Sequence, residues 1–167
     1  MISLGETLRE EEIVTWEFSS IAKYPELLKD ILTEEHFFSR LPEISGSVEY
    51  VTKLMEKNAH IVFLTQPPRK SDYALRDKRR WIAHHFPKFD LSGIIFAHYK
   101  YMVFGDLLMD DNPEHLNSWR DFVSPYKPII TATIDYPYNL DCQVDWRFKK
   151  QTAWKDFYEK VCCYYNL

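Results

Sequence analysis

Four short apolar runs, each closed by a polar or helix-breaking residue, set the architecture of this 167-residue chain. They are His60 to Thr65, halted by Gln66-Pro67-Pro68, then Gly93 to Phe96, Asp106 to Asp110, and Ile129 to Ile134. Continuous rather than alternating apolar character is the pattern of strands buried on both faces, as in a parallel sheet. Between them lie segments with helical spacing. Ser47 followed by Val48, Val51, Leu54 and Met55 reads as a capped amphipathic helix of about three turns. Asp72 to Phe86 carries Tyr73, Leu75, Trp81, Ile82 and His85 amid charges and reads as a second helix. Residues 8–38 form a small helical unit, with spacing in Ile13, Trp16 and Glu17 and again in Leu27, Leu28, Ile31 and Leu32. Tyr136-Pro137-Tyr138-Asn139 reads as a turn, and a closing helix is expected from Trp146 or Thr152 to Tyr164. Alternation of strand and helix predicts an α/β fold, a parallel sheet flanked by helices with right-handed crossovers. We divide it into a helical cap-like segment at 1–40 and an α/β core at 41–167.

Composition narrows the function classes. Hydrophobic residues at 46% and aromatics at 16% are enough to build a core without disulfides or a structural metal. Lys+Arg 21 against Asp+Glu 25 leaves a net charge of −4, which disfavours non-specific nucleic-acid binding. The four glycines, Gly5, Gly46, Gly93 and Gly105, fit neither a G-x-G nor a G-x-x-x-x-G-K phosphate loop. Cys142, Cys162 and Cys163 form no C-x-x-C pair and point to a reducing compartment. No apolar run approaches the roughly 20 residues that span a bilayer, and Met1 to Glu12 lacks a signal-peptide layout. A cytoplasmic location without membrane association is the expectation.

In open α/β sheets ligands bind at the carboxyl ends of strands. Thr65 ends one run, Lys100 lies just beyond another, and Asp110-Asp111 close a third. A hydroxyl, a cation and a carboxylate pair suit a phosphate held beside Mg²⁺: Thr65 donates to a phosphate oxygen, Lys100 neutralises charge, and an aspartate supplies a hard oxygen ligand. Each has a plain structural counter-reading, since Asp110-Asp111-Asn112-Pro113 also reads as a helix cap or turn. His84 and His85 project about 100° apart on a helix and cannot face one metal. His98, near Lys100, is a candidate ligand contact. Seven of the 21 basic residues fall between Arg69 and Lys88. That run, with Arg69, Lys70, Arg76, Arg79 and Arg80, is either a solvated helix face or a surface for an acidic partner or a nucleotide.

With these residues in place, the chain resembles the 5'(3')-deoxyribonucleotidases of the haloacid dehalogenase (HAD) superfamily. The resemblance rests on Leu8 to Phe18, on Phe37-Phe38 with Leu41-Pro42 and Gly46, and on Ile61 to Thr65. It continues through Lys78 with Trp81-Ile82, Ile94 to Phe96, Gly105 to Pro113 and Tyr136 to Asn139; Gly105 to Pro113 is the most specific piece. It implies a HAD-like Rossmannoid fold with a small helical cap and Mg²⁺-dependent phosphomonoester hydrolysis. Thr65 falls on the second family motif, Lys100 on the third, and Asp110-Asp111 on the fourth.

The first family motif, a strand ending in Asp-x-Asp, supplies the nucleophile and the proton-handling aspartate. The sequence contains no Asp-x-Asp. Met1 to Leu8 echoes the motif only superficially, with Ser3 and Gly5 at the carboxylate positions, and Tyr99 stands where an acidic residue usually precedes the third-motif lysine. The resemblance therefore implies that the first family strand, central in the sheet, is missing. No catalytic set is intact, and Mg²⁺ binding at Asp110 and Asp111 is weak or absent. An upstream segment, re-pairing of neighbouring strands or an edge lent by another protomer would fill the gap. Two functions follow as expectations. One is a catalytically impaired nucleotidase-like protein that binds a protein partner, a second copy or a nucleotide, as a regulator or inhibitor. The other is a Mg²⁺-dependent 5'(3')-deoxyribonucleotidase whose first motif is truncated or supplied in trans.

Overall fold

The structure is a computed structural model that describes residues 10–167. The Met1 to Leu8 echo of the first motif lies outside the described residues. Six helices are described: α1 Phe18–Ile21, α2 Pro25–Thr33, α3 Ser47–Glu56, α4 Ala74–His85, α5 Pro113–Val123 and α6 Ala153–Tyr165. Five short strands are interspersed with them: β1 Phe63–Thr65, β2 Ile94–Phe96, β3 Leu107–Met109, β4 Ile130–Ile134 and β5 Trp146–Phe148. The described strands pair in two sheets, β1-β2 and β3-β4-β5, and every pairing is parallel. This is the α/β architecture expected from the apolar runs. No described strand pairs with the second edge of β1 or of β3.

The chain divides into two compact units, one of residues 31–100 and 151–167 and one of 10–30 and 101–150. In the first, named here the Thr65 unit, β1 and β2 run in register from Phe63 opposite Ile94 to Thr65 opposite Phe96. Helix α4 is the crossover between them, as parallel pairing requires. Its Ile82 joins Val51 of α3 and Phe86 in a buried cluster against Phe63, Phe89 and Ile94. Trp81 donates its indole N–H to the Leu41 carbonyl at 2.7 Å, fixing the Leu41-Pro42 entry to α3. The cap of α3 departs from the sequence reading. Glu43, not Ser47, caps the helix: its carboxylate accepts from the Val48 N–H at 3.0 Å and from the Ser47 hydroxyl at 3.3 Å. Gly46, at φ +81°, makes the left-handed turn that brings Glu43 into reach.

In the second, the Asp110 unit, β4 is central and buried along Thr131 to Ile134. Leu116, Trp119 and Val123 of α5 are fully buried, and the Trp119 indole donates to the Val103 carbonyl at 2.7 Å. Two buried hydroxyls are tolerated on β4 because they are bonded. Thr131 donates its hydroxyl and its N–H to Asp145 at 2.8 and 2.7 Å, and Thr133 accepts from Asn139 at 3.1 Å. The closing helix does not begin at Trp146. Trp146-Arg147-Phe148 is strand β5, with Trp146 and Phe148 turned inward, and the helix starts at Ala153. Arg147 draws the residue 139–142 loop onto β5 through the Asn139 carbonyl at 3.2 Å and holds Asp135 at 2.9 Å.

A side chain at position 46 would have to adopt a left-handed backbone and meet the Tyr50 ring 3.3 Å from its Cβ. Gly46→Ala should lower stability by about 1–2 kcal/mol, read as an earlier urea midpoint with an unchanged slope.

Candidate functional site

In the Thr65 unit the parallel pairing brings the ends of β1 and β2 side by side, and the chemistry gathers there. Thr65 is the last residue of β1, and its carbonyl accepts from the Ala97 N–H at 3.0 Å, which continues the ladder past β2. One turn into α4, Lys78 reaches back over this end. Its ammonium donates to the Thr65 hydroxyl and to the Gln66 carbonyl, both at 2.9 Å, and lies 4.7 Å from the centre of the Phe38 ring. Burial and then the charge of Lys100 push the Lys78 amine down to about 8. A hydroxyl that accepts from an ammonium keeps its own proton to donate, so Thr65 and Lys78 together present donors to an anion. Gln66 is bonded side chain to side chain with His98 at 3.2 Å, which adds the end of β2 to the cluster.

Sequence reasoning assigned the cation beside Thr65 to Lys100. In the structure the lysine bonded to Thr65 is Lys78, while Lys100 opens a short 3-10 turn, Lys100–Met102, and acts on Lys78 through charge. The signal for Lys78 was its position at the second turn of a helix that starts just after the strand-end loop.

The basic run is partly spent inside the molecule. Arg76 bonds Glu35 at 2.6 Å, lies 3.6 Å from the fully buried Asp77 and stacks over the Tyr73 ring. Arg79 donates to the Leu91 carbonyl at 3.3 Å. Arg69, Lys70 and Arg80 are exposed. His85 packs on Trp81 with rings 4.2 Å apart, and the His84 ring meets it edge-on.

In the Asp110 unit the acidic pair follows β3 directly. Asp110 continues the ladder through its N–H to the Ala132 carbonyl at 3.1 Å. Its Oδ1 accepts from the Asn112 N–H at 3.0 Å and lies 3.4 Å from His115 Nδ1, and only 5% of the side chain is exposed. Asn112 caps α5 by accepting from the Glu114 N–H at 2.9 Å, with Pro113 at the first helical position. The cap reading of this stretch holds, and the cap bonds Asp110 in place.

Asp111 is held from the loop after β4. The Tyr138 phenol donates to its Oδ2 at 2.9 Å, and the buried Asn139 amide donates to its main-chain carbonyl at 3.1 Å. Burial and the Asp111 charge raise the Tyr138 phenol above its ordinary range, which keeps it a donor. In the sequence these two residues read as part of a turn and of the family resemblance, with no role at the acidic pair. Among the described residues no group of three or more His, Cys, Asp or Glu side chains could hold a metal ion. Two neighbouring carboxylates nonetheless fit Mg²⁺, which commonly takes one or two and completes its shell with water and phosphate oxygens.

Parallel sheets flanked by helices, with hydrogen-bond donors at one strand end and an acidic pair at another, fit an α/β chain of HAD-like fold. The match to known proteins carries this further. Residues 3–164 match the family model described as 5' nucleotidase, deoxy (pyrimidine), cytosolic type C protein, and the chain belongs to that family. It is 35% identical over 115 residues to a 5'(3')-deoxyribonucleotidase of Clostridium acetobutylicum, a match covering 65% of this chain and 59% of the relative. A Staphylococcus aureus protein provisionally given the same name is 28% identical over 136 residues, 81% of this chain and 68% of the relative. The matched part thus spans under two thirds of the Clostridium relative's own length. No described helix is long and apolar enough to cross a membrane.

The Lys78 placement has a consequence for stability. Below pH 8 the folded and unfolded chains both carry its proton; between about 8 and the ordinary value of 10.5 only the unfolded chain does. Stability therefore rises with pH across that window from this group. Urea unfolding at pH 7.5 and 10 should show this rise in the wild-type chain relative to Lys78→Met, in which it is lost.

Proposed function

We infer that this chain binds the phosphate of a deoxyribonucleotide without hydrolysing it alone, and that the complete 5'(3')-deoxyribonucleotidase reaction needs an Asp-x-Asp strand from outside these 167 residues. The observation that carries the reading is the Lys78 ammonium seated on the Thr65 hydroxyl at the end of β1, in a sequence with no Asp-x-Asp. Half-buried donors at a strand end bind a phosphate oxygen through charge-assisted hydrogen bonds. Transfer of the phosphoryl group requires a nucleophile and a proton donor for the leaving alcohol, and those are the roles of the absent motif. Lys78 takes the principal anion-binding role, with Lys100 as a second positive charge.

Asp110 and Asp111 would hold Mg²⁺, which when bound neutralises charge on a phosphate. With only these two carboxylates the affinity of the chain alone is weak. A cytoplasmic setting, where nucleotides and Mg²⁺ are abundant, agrees with the three unpaired cysteines.

A second reading is favoured by the sheet edges. No described strand pairs with one edge of β1 or of β3, and an open edge is a template for an added strand. A protein partner or a second copy of the chain that lends an extended segment would cover such an edge. If that segment ends in Asp-x-Asp, the binding protein and the enzyme become the same assembly. The exposed Arg69, Lys70 and Arg80, together with Arg79, are the surface for an acidic partner.

Sulfate, whose charge does not change above neutrality, tests the anion site. Calorimetric titration should show binding that weakens as pH rises through about 8, because Lys78 loses its proton there. Lys78→Met should lose at least about tenfold in affinity, along with that pH dependence. With Mg²⁺ the chain should release no phosphate from p-nitrophenyl phosphate. Sulfate binding indifferent to both pH and Lys78→Met would refute the anion site, and turnover abolished by Asp110→Asn would refute the requirement for a supplied strand.

A further inference from the structure

Within the Asp110 unit, one loop contacts the acidic pair twice. After β4 the chain turns through Pro137–Asn139, a 3-10 turn whose Asn139 is fully buried. Its amide bonds the Ile134 carbonyl at 2.9 Å and the Thr133 hydroxyl at 3.1 Å as well as the Asp111 carbonyl. The turn is thereby bolted to the end of β4 and to the backbone of Asp111 at once. On this fixed base stands Tyr138, its ring parallel to that of Tyr136 within 3° at 5.3 Å and met edge-on by Trp16 at 5.6 Å. Lys150 lies 5.4 Å from the centre of the Tyr136 ring on the same stack. Rings held on two sides leave the phenol little freedom, and the phenol ends on Asp111 Oδ2.

We propose that Tyr138 is a positioning residue for the acidic pair: its phenol sets the orientation of the Asp111 carboxylate toward a divalent cation. The inference rests on the reading of Asp110 and Asp111 as a Mg²⁺ site. A flexible carboxylate loses side-chain freedom when it binds an ion, and a neighbour that fixes its rotamer beforehand reduces that loss. Outer partners of metal-binding carboxylates are typically worth 10–100-fold in affinity. The arrangement also divides the labour within the pair. Asp110 is oriented by the α5 cap and His115, and Asp111 by Tyr138 and Asn139.

The test is Mn²⁺ binding by water-proton relaxation in wild-type, Tyr138→Phe, Asp111→Asn and double-variant chains, each checked for an unchanged melting temperature and unchanged sulfate binding. Tyr138→Phe should weaken Mn²⁺ by at least about tenfold. The same change in the Asp111→Asn background should add nothing, because the two act through one bond. Equal Mn²⁺ affinity with and without the phenol, or additive losses, overturns the role of Tyr138 and leaves the cation site standing. A wild-type chain that takes up no Mn²⁺ overturns both. As a check that needs no Tyr138 variant, Mg²⁺ added to the wild-type chain should perturb tyrosine absorbance, and Asp111→Asn should abolish the effect; no perturbation in the wild type counts against the proposal.

Discussion

The bond from the Lys78 ammonium to the Thr65 hydroxyl is the contact on which the functional reading depends. It joins a helix to the end of the strand that precedes it, so the βαβ crossover places an amine where the sheet ends. The amine is half-buried, feels the charge of Lys100, and lies near an aromatic face. Such a charge is costly to bury without a counter-ion. Burial lowers its proton affinity, and on the proposed reading an arriving anion offsets the cost. On the proposed reading the arrangement prepares the strand end for an anion.

The acidic pair is built by a different logic. Asp110 and Asp111 are adjacent on the chain but are held by different neighbours, one by the start of α5 and the other by the loop after β4. Thr65 and Lys78 show the same economy, since backbone geometry at a strand end supplies one member and a crossover helix supplies the other. On the proposed reading these groups bind an anion and a cation, while the sequence carries no Asp-x-Asp.

Much of this was visible in the sequence, for physical reasons. Continuous apolar runs bounded by Pro, Gly or Asp identify doubly buried strands, and four of the five strands were located that way. The fifth, Trp146-Arg147-Phe148, escaped because Arg147 breaks the apolar run and the following segment is strongly helical. Asp110 and Asp111 were legible because they end a strand. Lys78 and Tyr138 lie within the pieces that carry the family resemblance, but their bonds to Thr65 and Asp111 were not legible, because each reaches its partner from another element, 13 and 27 residues away respectively. A Lys inside a charged helix and a Tyr inside a turn have ordinary local explanations, and only the fold distinguishes these two. The cap of α3 was misread for a related reason, since Glu43 lies four residues before Ser47 and across a left-handed glycine.

The most direct test of binding without turnover is phosphorus NMR of a deoxynucleoside 5'-monophosphate titrated with the chain in the presence of Mg²⁺. The account predicts a saturable shift or broadening of the phosphate resonance that Lys78→Met removes, with no inorganic phosphate appearing over hours. A growing inorganic phosphate signal that tracks the concentration of the purified chain would contradict it.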